Sequence, residues 1–181
     1  LLLKAGTLVD ATIISAPSST KNEDRSRDPE MTQTKKGNQW YFGMKVHIGT
    51  DRRGLVHTVT TTTAKDADLT QLPDLLHGKE SVVHGDRGYF SHDAVDYLRK
   101  RGIRSRLQKR AASGHPLTEA ARRRNQRWSS VRAFVEHPFH VIKRLWGFAK
   151  VRYRGLAKNT ARVFALMALA NLYRVRRQLL P

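Results

Sequence analysis

Residues Thr7–Ser15 read TLVDATIIS. A short apolar run rich in β-branched residues is expected to be a buried strand. Asp10 interrupts it, and a charge there is costly unless it is paired or bound to a cation. A strand-end aspartate bonded to backbone is the alternative. Residues 81–86 (SVVHGD) repeat the pattern, a short apolar strand ending in Asp86 and followed by Arg87, Gly88 and Tyr89. Gly85 and Gly88 let the backbone turn tightly around the acid. In open α/β sheets, sites form where strands end.

Between and beyond these strands the chain reads as a succession of short elements. Residues 16–39 form a polar loop broken by Pro17, Pro29, Gly37 and Asn38, with Lys35 and Lys36 as candidate phosphate contacts. Residues 41–50 and 55–63 read as a hairpin closed by DRRG. His47 and His57 lie on it at no metal-ligand spacing and are expected at the surface. Residues 66–76 (DADLTQLPDLL) read as a helix with Asp68 as N-cap, kinked or shortened by Pro73. A helix at 93–101, a strand at 103–107 and a basic connector at 108–127 follow.

A helix is expected over 126–146. It contains residues 132–143, RAFVEHPFHVIK. At roughly 100° per residue, Arg132 and Lys143 fall within about 40° of Glu136, so the three share a face. Phe134, Val135, Phe139, Val141, Ile142, Leu145 and Trp146 can supply the buried side. Pro138 must either kink this helix or mark a true first turn. An ion pair explains a glutamate between two cations, and a metal ligand with phosphate-gripping neighbours explains it equally. In residues 147–158, Lys150, Arg152, Arg154 and Lys158 interleave with Phe148 and Tyr153, which suits phosphate contacts or a solvated basic surface. Residues 159–180 read as an amphipathic helix packing the core through Val163, Leu166, Met167, Leu169, Ala170 and Tyr173.

The 181 residues carry a formal net charge of +19 and no cysteine. That charge selects a polyanion, nucleic acid first. Disulfides and thiolate metal sites are excluded. No apolar run approaches the roughly 20 residues that span a bilayer, and Leu1–Leu3 is too short for a signal-peptide core. Three acids remain: Asp10, Asp86 and Glu136. Hard oxygen ligands favour Mg²⁺, with Mn²⁺ as the alternative, and three carboxylates around two such ions suit phosphoryl transfer.

The order of elements and four motifs resemble the DDE insertion-sequence transposases, in the branch of insertion sequence five and its relatives. The motifs are VDATII from Val9, KKGNQWYFGMKVHIGTD from Lys35, HGDRGY from His84 and RAFVEHPFHVIKRLWGFAKVRYRGLAKN from Arg132. The resemblance implies an α/β fold with a ribonuclease-H-like mixed sheet flanked by helices, and a C-terminal amphipathic helix, all in one catalytic domain over 1–181. It implies Asp10, Asp86 and Glu136 as catalytic residues and as ligands of two Mg²⁺ ions. Arg132 and Lys143 match the Arg and Lys of the family's Tyr-Arg-Glu-Lys signature and imply phosphate contacts. Arg87, Lys35, Lys36, Lys150, Arg152 and Arg154 are further DNA-binding candidates. Ser129 stands where the signature has Tyr. The interval from Asp86 to Glu136 leaves no room for a sizeable inserted domain.

The implied partners are double-stranded DNA, as transposon ends and target, and a second copy on that DNA, in a bacterial cytoplasm at the nucleoid. The chain starts at Leu1 with few residues before Asp10, so it is expected to be the catalytic portion alone, without the N-terminal end-recognition region. Two other readings remain: a truncated, non-catalytic DNA-binding remnant, and a ribonuclease-H-like nuclease for hybrids or junctions.

Overall fold

A computed structural model describes residues 5–23, 25–111 and 114–179. Asp24 of the expected loop, residues 112 and 113 of the connector, Leu180 of the expected C-terminal helix and residues 1–4, with the Leu1–Leu3 start, lie outside them. Six strands pair in one mixed sheet: β1 (Thr7–Ser15), β2 (Thr32–Lys36), β3 (Gln39–Thr50), β4 (Val56–Thr63), β5 (Val82–Gly85) and β6 (Arg104–Leu107). Their order is β2-β3-β1-β5-β6, with β4 paired to β3. The helices are α1 (His92–Lys100), α2 (Glu119–Arg132), α3 (Glu136–His140) and α4 (Leu156–Leu179). A mixed sheet flanked by helices, with a long C-terminal helix, is the ribonuclease-H-like class.

The chain forms two compact units interleaved in sequence. The first comprises the stretch ending at Asp10, Ile48–Thr58 and Ala67–His137. Here the start of β1 runs parallel to β5, with Thr7 opposite Val83 and Leu8 opposite His84, and β5 runs parallel to β6. Strands buried on both faces must be apolar throughout, and β5 is fully buried. Val9, Val83, Leu107, Leu98, Leu72, Leu75 and Tyr89 pack into its core. Ser91 caps α1 by accepting from the Ala94 N–H, and Thr118 caps α2 by accepting from Ala121.

The second unit comprises Ala11–His47, Val59–Asp66 and the chain from Pro138 onward. β2 and β3 form an antiparallel hairpin from Thr32↔Gly43 to Lys36↔Gln39. Its two-residue turn is Gly37-Asn38, and Gly37 has φ +61°, the left-handed start that a type II′ turn requires. The expected loop over 16–39 therefore ends before β2. Lys35 and Lys36 sit on a strand, because TQTKK alternates and finds a partner.

Several expectations change. Residues 66–76 form two 3₁₀ turns, Asp68–Gln71 and Pro73–Leu75, in place of one helix. Ala67, not Asp68, precedes the first turn, and Pro73, lacking an N–H, opens the second. α2 begins at Glu119, so the basic connector is shorter than 108–127. The expected helix over 126–146 is four pieces: the end of α2, a 3₁₀ turn at Ala133–Val135, α3 and a π segment at Val141–Leu145. Pro138 lies in the first turn of α3, where its missing donor costs nothing. Phe134 and Leu145 are exposed, while Val135, Phe139, Val141 and Ile142 are buried. α4 begins at Leu156 and buries Asn159, Val163, Met167 and Ala170, whereas Leu169 faces solvent. Phe148 is buried and Tyr153 exposed, so only the tyrosine is left to support a ligand.

The hairpin histidines are not surface residues. His47 is fully buried with Nε2 2.8 Å from Thr62 Oγ1. His57 bonds Thr7 Oγ1 at 3.1 Å and Thr58 Oγ1 at 2.8 Å. Burial, and then the His77 charge, lower the His57 pKa to about 4. Burial, then Arg106 and Arg52, lower His84 to about 4 as well. Both are neutral in the fold, while an unfolded chain takes up protons near pH 6.5. Their contribution is therefore complete above pH 6.5 and lost as pH falls toward 4. Thermal melts over that window will show a falling Tm, and His57→Gln with His84→Gln will flatten the slope.

Candidate active site

Asp10 lies within β1, two residues beyond Leu8, the last residue of its parallel register with β5. Asp86 stands one residue past the end of β5. Its carboxylate folds back, Oδ1 accepting the Gly88 N–H at 2.8 Å and capping the 3₁₀ turn Arg87–Tyr89. Glu136 opens α3. All three belong to the first unit.

Arg132, the last residue of α2, joins two of them. Its Nη1 donates to Asp10 Oδ2 at 3.2 Å and its Nη2 to Glu136 Oε1 at 2.6 Å. The Arg132 and Asp10 side chains are 18% and 15% exposed, so their bond is shielded from solvent. Glu136 is 55% exposed, so its bond contributes little on its own. A guanidinium fork suits this task because its two donors point in parallel directions.

Asp86 belongs to the same neighbourhood through Tyr89. Tyr89 is fully buried, and its hydroxyl has no hydrogen-bond partner among the described residues. Its pKa is raised well above the ordinary phenol value, by burial first and then by the charges of Asp68, Asp10 and Asp86, against Arg132. The phenol is therefore a protonated donor set among three carboxylates. A Cβ at Gly88 would lie 3.1 Å from Asp86 Oδ1 and 3.3 Å from Asp68 Oδ2. Glycine there leaves both acids room to close on the turn without giving way.

Sequence reasoning assigned Tyr89 no role and read Asp68 only as a helix cap. The signal for Tyr89 lay in HGDRGY, where it follows Asp86 by one 3₁₀ turn. Nothing local marks Asp68. Gln108 was also missed: it is 7% exposed and donates to Ser129 Oγ at 2.6 Å. Ser129, at the signature's Tyr position, accepts that bond.

The remaining candidates other than Arg87 lie in the second unit. Lys143 lies within the π segment Val141–Leu145. Its Nζ donates to Thr12 Oγ1 and to the Ile13 carbonyl, both at 3.1 Å. Burial, and then Lys36 and Arg144, lower its pKa. Lys35 lies 6.0 Å from the Trp40 ring centroid. Lys150 is exposed beside the bridge to Ser15. Arg152 is exposed, and Arg154 donates to Ser26 Oγ at 3.2 Å. Arg87 is exposed in the first unit, next to Asp86.

The donor set suits a hard divalent cation, since carboxylate and phenol oxygens predominate and no thiolate competes. Among the described residues no three acidic or histidine side chains stand as a ready cation-binding group. Arg132 occupies the charge-neutralising position between Asp10 and Glu136.

Removing the guanidinium leaves Asp10 shielded from water without its cation. Arg132→Ala is expected to lower stability by roughly 3 kcal/mol in urea denaturation. Arg132→Lys is expected to recover less than half of that, because an ammonium cannot fork to both carboxylates.

Residues 2–172 match the family model of the transposase DDE domain. No helix among the described residues is long and apolar enough to cross a membrane. With nearly its whole length matched, the chain belongs to the transposase DDE domain family.

Proposed function

We propose that this domain cuts the phosphodiester at the end of a mobile DNA element and joins the freed end to target DNA. The single observation that carries the reading is Arg132 holding Asp10 and Glu136 together, in the charge neighbourhood that Tyr89 shares with Asp86. Asp10, Asp86 and Glu136 would hold Mg²⁺, in two ions, with Mn²⁺ as substitute. Such ions would supply Lewis acidity to the phosphodiester and would lower the pKa of a water.

The chain's own residues do the rest. Asp10, within β1, and Asp86, one residue past β5, are delivered just beyond the end of the parallel β1–β5 ladder, which holds their backbone fixed. Arg132 is poised to exchange a carboxylate for a phosphate oxygen, which has the same bidentate geometry. Tyr89 is a buried donor for an oxygen entering between the acids. Lys143, Lys35, Lys36, Arg87, Lys150, Arg152 and Arg154 are assigned to backbone phosphates. In the first reaction water adds to phosphorus and the 3′-oxygen leaves with a proton. In the second that 3′-hydroxyl attacks a target phosphate, displacing its 3′-oxygen. The net charge of +19 supports duplex DNA as partner. A pair of copies on the DNA, at the bacterial nucleoid, completes the proposal.

The test is nicking and strand joining of element-end duplexes with Mg²⁺. Asp86→Asn and Glu136→Gln are each expected to reduce the rate at least 10²–10³-fold, by analogy with loss of a transition-state stabilising group. DNA binding is expected to persist in both. Unchanged rates would refute the site, and salt-dependent binding without any cleavage by the parent chain would favour the non-catalytic remnant.

A further inference from the structure

We infer that the cleft beside α2 reads the edges of purine bases in duplex DNA, next to the phosphate handled by the acids. This rests on the catalytic reading above. The cleft has a volume of about 250 Å³ and is lined by Arg87, Gln108, Arg122, Asn125, Gln126 and Ser129. All of these residues belong to the first unit.

Its floor is rigid. Gln108 is 7% exposed and commits its amide nitrogen to Ser129 Oγ at 2.6 Å and to the Asn125 carbonyl at 3.2 Å. Asn125 is held twice by the backbone of Lys109: its Oδ1 accepts from the N–H at 3.2 Å and its Nδ2 donates to the carbonyl at 3.0 Å. These bonds fasten the exit of β6 to α2.

The rim is unspent. Arg87, Arg122 and Gln126 are exposed. Among the described residues their side chains make no hydrogen bond or ion pair. Their neighbours differ, since Arg123 pairs with Glu119 and Arg132 with Asp10 and Glu136. Arg122, Gln126 and Ser129 follow at helical spacing and form one stripe of α2.

The chemistry of Arg122 and Gln126 favours bases, while Arg87, beside Asp86, stays with the phosphate. A guanidinium fork matches guanine O6 and N7, and a glutamine amide matches adenine N6 and N7. Charge alone would satisfy a phosphate, so a neutral amide beside the arginine is the informative group. The chain also ties the cleft to the acids on both sides. Arg87 follows Asp86 directly, and Ser129 precedes Arg132 by one turn of the same helix. The bases within reach are therefore those flanking the cleaved bond.

The experiment is a bind-and-sequence selection by the full chain from a pool of short duplexes of random sequence, in EDTA. The parent chain is expected to enrich a block of adjacent base pairs with a fixed guanine at one position and a fixed adenine at another. Gln126→Ala and Arg122→Lys are each expected to reduce enrichment at one position in that block about tenfold. Gln126→Ala changes no charge, so its affinity for an unselected duplex is expected to stay within about threefold. Arg122→Lys keeps the charge and loses only the fork, which separates base reading from electrostatics. Variants that enrich the block as strongly as the parent, or a parent that enriches none, would overturn the inference. Because no cleavage occurs in EDTA, a failure of the catalytic reading is registered separately, in the Mg²⁺ nicking assay.

Discussion

The bond between Arg132 and Asp10 joins residues 122 positions apart, the end of a helix and the middle of a strand. A carboxylate on a buried strand is costly until something positive or hydrogen-bonding reaches it. Arg132 does so from α2, and the same guanidinium reaches one turn onward to Glu136. The position of α2, and with it the cleft along its side, is tied to satisfying that one charge.

The parallel strands make this possible. β1, β5 and β6 lie side by side in parallel register, with β5, the central one, buried along its whole length and only Leu107 of β6 buried. The pairing of β1 with β5 ends at Leu8 opposite His84, so Asp10 and Asp86, each two residues further on, are carried past the same end of the ladder. Gly85 and Gly88 let the chain turn immediately afterward. A Cβ at Gly85 would meet Leu107 at 2.8 Å, so the glycine also lets β6 approach. Tyr89 then fills the core from above, bringing a phenol hydroxyl among acids in place of another methyl group.

Much of this was legible along the chain. The strands carrying Asp10 and Asp86, the hairpin, α1, β6 and the C-terminal helix all follow from apolar periodicity and turn residues. The strongly basic composition pointed to DNA, and the four motifs pointed to the transposase family that the family match then showed. Helix continuity around Glu136 was not legible. A uniform helix places Arg132, Glu136 and Lys143 on one face, but the 3₁₀ turn and the π segment change the residues per turn on either side of α3. Arg132 and Glu136 still meet because only one turn separates them. Lys143 lies within the π segment, and its ammonium donates to Thr12 and Ile13.

By itself the sequence determined where β1, β3, β4, β5, β6, α1 and the C-terminal helix form, that Asp10 and Asp86 lie on or just past apolar strands, that no thiolate is present and that the charge suits DNA. These are local or summed properties, set by side-chain size, periodicity and ionisation. Only the tertiary structure decided that one guanidinium serves both Asp10 and Glu136, that Asp68 and Tyr89 join Asp86 around Gly88, that His47 and His57 turn inward, and that Gln108 holds Ser129. Each of these is a contact between residues far apart in the chain. Such contacts depend on register and packing, which no stretch of sequence encodes alone.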